Sequence, residues 1–216
     1  MVICARDTDV LLLLLAHKER ITSKVWLWAG TSKKPKYIPI DQVFNNLPPS
    51  TKRGQLQFHA ITGCDTTSYL SGHSKTTVWK VFLENFELLL PLGEGALEED
   101  KLKSAEKFVC KIYNTEAEST DMARFILFGR VGAPEKLPPT SDALRYHVMR
   151  AHYQAMIWRQ AHIPTPVLPK PEESGWIIKN DDYLAPVLMK LDPIPKACVE
   201  LISCNCKTGC ATLRCK

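Results

Sequence analysis

Met1-Val2-Ile3-Cys4-Ala5-Arg6-Asp7-Thr8-Asp9-Val10, running on into Leu11-Leu12-Leu13-Leu14-Leu15, is the stretch whose reading decides the fold. An apolar run that ends in two carboxylates and resumes at once as a leucine block reads as a buried strand, residues 2 to 5, turning into a helix from Thr8 to His17. Asp7 and Thr8 mark the start of that helix. Open α/β sheets keep their chemistry at the carboxyl ends of strands, so Asp7-Thr8-Asp9 is the expected functional point. Two roles are open for the pair. In one, both carboxylates converge on a hard divalent cation, magnesium or manganese, which takes few carboxylate oxygens and keeps waters for a phosphate. In the other, Asp7 caps the helix and Asp9 sits solvated in its first turn, where the helix dipole favours acid.

Outward from this stretch, Val25-Trp26-Leu27-Trp28-Ala29 reads as a second strand, closed by Gly30 and the turn Thr31 to Lys34. Tyr37-Ile38-Pro39-Ile40 is a third, short and at an edge because Pro39 cannot donate to a ladder. Asp41 is expected to cap a helix through Leu47 that Pro48-Pro49-Ser50 ends. The alternation predicts an α/β unit with a partly parallel sheet. From Thr51 onward only helices are expected: 55 to 62, 75 to 90, 101 to 113, 121 to 129 and, longest, 141 to about 161. On the last, Arg145, His152 and Arg159 recur every seven residues as a basic stripe, and His147, Arg150 and His152 are expected on a solvated face, with contact to nucleic acid as the alternative. Residues 163 to 171 hold four prolines and read as an extended linker. Gly175 to Ala197 shows no clear period and is expected to be irregular.

Of the 216 residues, 45% are hydrophobic and 24% charged, which places the chain among folded globular proteins rather than disordered ones. The net charge of +5 permits a polyanion partner without demanding one. Its distribution is uneven: Lys33, Lys34, Lys36, Lys52 and Arg53 face only Asp41 between residues 31 and 53, while residues 84 to 121 are acidic. Four of the eight cysteines crowd into residues 204 to 215, a pattern for metal in a reducing compartment rather than for a secreted disulfide framework. The leucine block is too short for a membrane span and follows two aspartates, so neither a signal peptide nor a membrane partner is expected. A nuclear or cytoplasmic location follows; the oligomeric state is left open.

A second constellation lies downstream. In Phe58-His59-Ala60-Ile61-Thr62-Gly63-Cys64-Asp65, a glycine breaks an apolar helix directly before a carboxylate, and Gly72-His73-Ser74-Lys75 then makes a tight turn into the next helix. Backbone amides at such a start, with Ser74 as cap and Lys75 beside it, suit a nucleic-acid phosphate. His59 is expected to be a core or supporting residue.

The order Asp7-x-Asp9, Ile-Pro-Ile-Asp, Gly63-Cys64-Asp65 and Gly72-x-x-Lys75 resembles the C-terminal half of the PIN-like, flap endonuclease/XPG-type nuclease superfamily, over residues 1 to 90. Arg-Asp-Thr-Asp-Val, Thr-Gly-Cys-Asp-Thr-Thr-Ser and Leu-Pro-Pro-Thr-Ser-Asp-Ala-Leu further resemble an animal family often associated with transposons. The resemblance implies that Asp7, Asp9 and Asp65 are catalytic ligands of magnesium or manganese. It implies too that Gly72, Ser74 and Lys75 hold a nucleic-acid backbone, DNA before RNA, and that the reaction is metal-dependent phosphodiester hydrolysis of structured DNA. Two departures temper this: the family's N-terminal half, with its further acids, is expected to be missing here, and His73 stands where a smaller or basic residue is usual. The expected organisation is a partial PIN-like core at 1–92, a helical extension at 93–162, a proline-rich and irregular segment at 163–197 and a cysteine-rich tail at 198–216. Impaired hydrolysis is the expected activity. The competing class is a non-catalytic nucleic-acid-binding remnant of a mobile element.

The tail places Cys204, Cys206, Cys210 and Cys215 within reach of one tetrahedral zinc, with Lys207, Arg214 and Lys216 beside them. It resembles the opening of a tesmin-type CXC motif. Idle thiols in a tail are the alternative.

Overall fold

In the computed structural model, which describes residues 1–31, 33–130, 134–179 and 183–192, β1 (Val2–Cys4) leads through Asp7 into α1 (Thr8–Ala16). β1 pairs parallel with β2 (Trp26–Trp28), and β2 pairs antiparallel with β3 (Tyr37–Pro39). The sheet is therefore partly parallel, and β3 lies at an edge, as Pro39 requires.

The register Ile3↔Leu27↔Ile38 sets one face of the sheet against α1, where Val10, Leu11, Leu14 and Leu15 close a cluster with Val25, Leu27 and Ile40. Leu12, Leu13 and Ala16 point the other way into a larger helical core. The leucine block has no polar side because α1 is a wall shared by two cores. The other sheet face carries Val2 and Cys4, then Trp26 and Trp28, then Tyr37, in matching register. It is open: Val2, Trp26 and Tyr37 are 56%, 41% and 55% exposed, and among the described residues no strand pairs with the outer edge of β1. The expectation that the first strand is buried is thus met on one face only.

α2 (Ile40–Asn46) begins from Pro39, and Asp41 does not cap it. Its carboxylate instead accepts from the Val25 amide at 2.9 Å and pairs with Lys18 at 3.0 Å, tying the start of β2 to the end of α1. That amide bond, with Lys18 beside it, holds the Asp41 carboxyl below its ordinary pKa. Pro48-Pro49-Ser50 does more than end α2. Pro49 is the first residue of α3 (Pro49–Ile61), where a missing amide costs nothing. α3 starts six residues earlier than its apolar pattern suggests, and from Thr51 nearly all of it is buried.

α4 (Lys75–Asn85), α5 (Glu99–Ile112), α6 (Thr120–Leu127) and α7 (Ser141–Arg159) complete the helices. Phe58, Ile61, Phe82, Phe108, Leu144 and Val148 form one core running through α3, α4, α5 and α7. Gly54 is where α3 passes close to Phe82; a Cβ there would stand 2.9 Å from the ring. The chain is therefore α/β, a small sheet on a helical body. Two expectations are corrected here. Gly175 to Ala197 is not wholly irregular, because β4 (Trp176–Lys179) and β5 (Tyr183–Pro186) form an antiparallel hairpin. The polar face of α7 is not solvated: His147, Arg150 and His152 are 6%, 3% and 4% exposed. Each is satisfied by backbone, His147 at Ile61 O, Arg150 at Gly175 O and Val187 O, and His152 between Gly93 N and Gly95 O. Arg145 and Arg159 are instead held by Glu99 and Glu94. No helix among the described residues is long and apolar enough to cross a membrane.

Candidate functional site

At the carboxyl end of β1 the chain turns into α1, and Asp7 does cap it. Its Oδ1 accepts from the Asp9 amide at 2.9 Å, which leaves Oδ2 free. Asp9 is not merely solvated. One residue inside the helix and half-buried, it accepts at Oδ1 from His59 Nε2 on α3 at 2.7 Å. The other ring nitrogen, Nδ1, lies 2.6 Å from Nζ of Lys75, the first residue of α4. A charged ammonium only donates, so Nδ1 accepts and Nε2 carries the proton that goes to Asp9. Three elements distant in sequence are thereby joined in one directed chain, Lys75 to His59 to Asp9.

His59 is buried, and its pKa is lowered because burial disfavours imidazolium and the Lys75 charge repels it. The hydrogen bond and charge of Asp9, and the charge of Asp7, oppose this without overcoming it. Burial also lowers the Lys75 pKa, while Cys64 and Asp9 pull it back up. With His59 neutral, the Lys75–His59–Asp9 chain sets one cation against one carboxylate, and Asp7 makes no ion pair among the described residues.

The Gly63-Cys64-Asp65 segment is a pinned turn. Gly63 has φ +108°, and a Cβ on it would meet the Tyr69 backbone at 2.9 Å, so only glycine fits. Cys64 and Thr67 exchange backbone bonds of 3.1 and 3.2 Å. Thr67 Oγ1 donates to Ala60 O at 2.6 Å, and Thr66 Oγ1 donates to Gln154 on α7 at 2.7 Å. Asp65 rides exposed on this turn with no hydrogen bond or ion pair among the described residues. Ser74 caps α4, accepting from Thr77 N at 3.3 Å, after Gly72 at φ +79°. His73 is a packing residue, its ring edge-on to Tyr113 at 4.5 Å between centroids. A cavity of about 390 Å³ is lined by Gly63, Cys64, Thr67, Tyr69, Ser74 and Lys75.

No protein family, curated protein or solved structure matches this chain. What it can do is read from its own geometry. Asp9 and Lys75, both expected at the site, are brought together through His59, which the sequence reading left in a supporting role. The one signal for His59 was its place on the helix that runs into Gly63-Cys64-Asp65. Among the described residues no three His, Cys, Asp or Glu side chains are grouped to hold a metal, so Asp65 is not gathered with Asp7 and Asp9 into a cage. Oδ2 of Asp7 and of Asp9 accepts no hydrogen bond among the described residues, so two carboxylate oxygens would be available to a hard ion that keeps waters, as magnesium does. They do not fit a two-ion centre, which needs several bridging carboxylates. Cys204, Cys206, Cys210 and Cys215 lie outside the described residues.

Proposed function

We propose that the chain carries a PIN-like unit that binds nucleic acid and hydrolyses its phosphodiester bonds, DNA before RNA, with one magnesium or manganese ion at Asp7 and Asp9. The observation that carries this reading is the Lys75–His59–Asp9 chain, which joins a strand-end carboxylate to the start of α4 beside the Gly63-Cys64-Asp65 turn. When bound, the ion supplies activated water and neutralises phosphate charge. His59 fixes the Asp9 rotamer and, being neutral, leaves the full carboxylate charge available. Lys75 presents its ammonium to a phosphate in the cavity above Cys64, and Ser74 orders the α4 amides beside it.

The test is a cleavage assay on labelled flap, duplex and single-stranded DNA with magnesium or manganese, with Asp9→Asn and Asp65→Asn beside the parent chain. Slow cleavage abolished by Asp9→Asn and reduced only partly by Asp65→Asn supports the reading. Fast cleavage that Asp65→Asn abolishes as fully would sink the one-ion description. A second reading, nucleic-acid binding without hydrolysis, is favoured by the closure of Lys75 onto His59 and the outward position of Asp65. It predicts binding with no cleavage in either metal. Zinc at Cys204, Cys206, Cys210 and Cys215 belongs to the same proposal. Elemental analysis checks it, because Cys206→Ser with Cys210→Ser should bring the zinc content near zero.

A further inference from the structure

A second feature lies at the opposite end of the α1–α3 pair. The two helices run antiparallel: Asp9 meets His59 at one end, and Ala16 and His17 share a cavity with Lys52, Arg53 and Leu56 at the other. Seven residues of helix, at about 1.5 Å each, put this cavity about 10 Å along the helices from the Asp9–His59 contact. Its volume is about 750 Å³. Leu90 and Pro91 form part of the wall, and Arg159 enters from the end of α7. His17 fastens α1 to that end of α7 through its Nε2, 2.8 Å from Trp158 O.

The charge in the cleft is one-sided. Arg20, Lys52, Arg53, Lys101 and Arg159 line it against Glu19 and Glu94, an excess of three positive charges. Glu94 is taken up by Arg159, and Lys101 is turned onto the carbonyls of Glu94 and Ala96. Lys52 lies over the Phe44 ring at 4.2 Å, positioned but without an anion. Arg20 and Arg53 are exposed and make no ion pair among the described residues. None of these three makes an ion pair among the described residues, Glu19 being the one lining acid left against them and Lys101, and Lys52 and Arg53 sit where α3 begins, with its amide dipole positive.

We infer that this cleft binds the phosphate backbone of a single-stranded nucleic-acid segment entering or leaving the Asp9–His59–Lys75 site, with Arg20, Lys52 and Arg53 as the phosphate contacts. The cavity has the volume of a small-ligand pocket, enough for a short stretch of one strand. Ten ångströms corresponds to about three nucleotides at the 3.4 Å rise of one strand. Apart from His17 the lining offers no ring on which a base could stack, so the contact is to the backbone and independent of sequence. This inference rests on the nucleic-acid reading above and not on hydrolysis.

The experiment measures binding of fluorescein-labelled oligo-dT by anisotropy in EDTA, across a salt series, for the full chain. Three proteins are compared: the parent, Arg20→Glu/Arg53→Glu, and Lys103→Glu/Lys107→Glu, which changes the net charge equally on exposed positions of α5 away from the cleft. Thermal melts of all three check folding, and a fourth protein, Arg20→Gln/Arg53→Gln, replaces the cleft pair if the charge reversal melts early. The cleft pair should weaken binding by about tenfold or more and reduce the slope of log K against log salt by about 1.4, two contacts at 0.7 each. The α5 pair should stay within about twofold of the parent. Equal weakening by both pairs, or an unchanged slope in the cleft pair, overturns the inference. Because EDTA removes cleavage from the measurement, a chain that binds through the cleft and never cuts would sink the hydrolysis reading alone.

Discussion

The two ends of the α1–α3 pair are made from the same two helices and are opposite in character. At the Asp9 end three side chains are each held within 3 Å of a partner: Asp7 by an amide, Asp9 by His59, and His59 by Lys75. At the Ala16 end, Arg20 and Arg53 are free and exposed. Partnered, half-buried charges keep a fixed geometry and feel little salt; exposed cations act over a distance and are screened within about 10 Å at 0.1 M. The first end is built for a defined position, the second for capture.

Breaking each end separately should give opposite losses. The largest effect is expected from Asp9→Asn, which should cut hydrolysis by about 100-fold or more, the scale of a lost charge-stabilising or acid–base group, and leave oligonucleotide binding in EDTA unchanged. Arg20→Glu/Arg53→Glu should do the reverse, raising KM and sparing kcat. His59→Gln keeps a donor towards Asp9 but has no acceptor at the Nδ1 position that Lys75 uses; a fall in kcat of about 10- to 100-fold at constant KM is expected, the cost typical of a group that orients a ligand. The parent should lose activity as the pH falls through the depressed His59 pKa, below the ordinary imidazole value, and His59→Gln should lack that acid limb. If the limb persists in the variant, His59 does not titrate in the reaction.

Gly63→Ala tests whether the Asp9 end depends on its turn. A left-handed position and a 2.9 Å clash with Tyr69 should cost about 1–3 kcal/mol in denaturant midpoint and move Asp65 and Cys64 together. The smallest effect is in pH-dependent stability. Burial lowers the pKa of His59, His147 and His152, so between each depressed value and the unfolded value of about 6.5 the unfolded chain binds protons that the folded chain refuses. Stability should therefore be full above about pH 6.5 and fall as the pH drops, by at most about 1.4 kcal/mol per pH unit for each histidine. Calorimetry from pH 7.5 to 5 should show the slope, and His147→Gln should make it shallower by one histidine's share, leaving that of His59 and His152.

Much of the Asp9 end was legible because period and punctuation carried it. An apolar run, two acids, a leucine block and a glycine before Asp65 are local signals, and they placed β1, α1 and the turn. The histidine between them was not legible, since its role arises only when α3 lies against α1 and α4 starts beside both. The cleft was hidden for the same reason: Arg20, Arg53 and Arg159 stand far apart in sequence, and each alone is an ordinary surface cation. On α7 the helix was plain but its polar residues misled. His147, Arg150 and His152 look like a wet face, yet their partners are carbonyls and amides of other segments, which composition cannot reveal. Pro48-Pro49 signalled a stop correctly and hid a start, because proline suits both. The hairpin at Trp176 was obscured by a charged, proline-bordered segment with few alternating positions.

The open face of the small sheet has a practical consequence for anyone handling the protein. Among the described residues β1 pairs on one side only, and the sheet's open face carries Val2, Trp26 and Tyr37; a second copy could pair with such an edge without unfolding. Association that grows with concentration is then the expected hazard, checked by light scattering across a dilution series. A single lysine at Val2, pointing into water, would raise the solubility ceiling while leaving the melting temperature where it was.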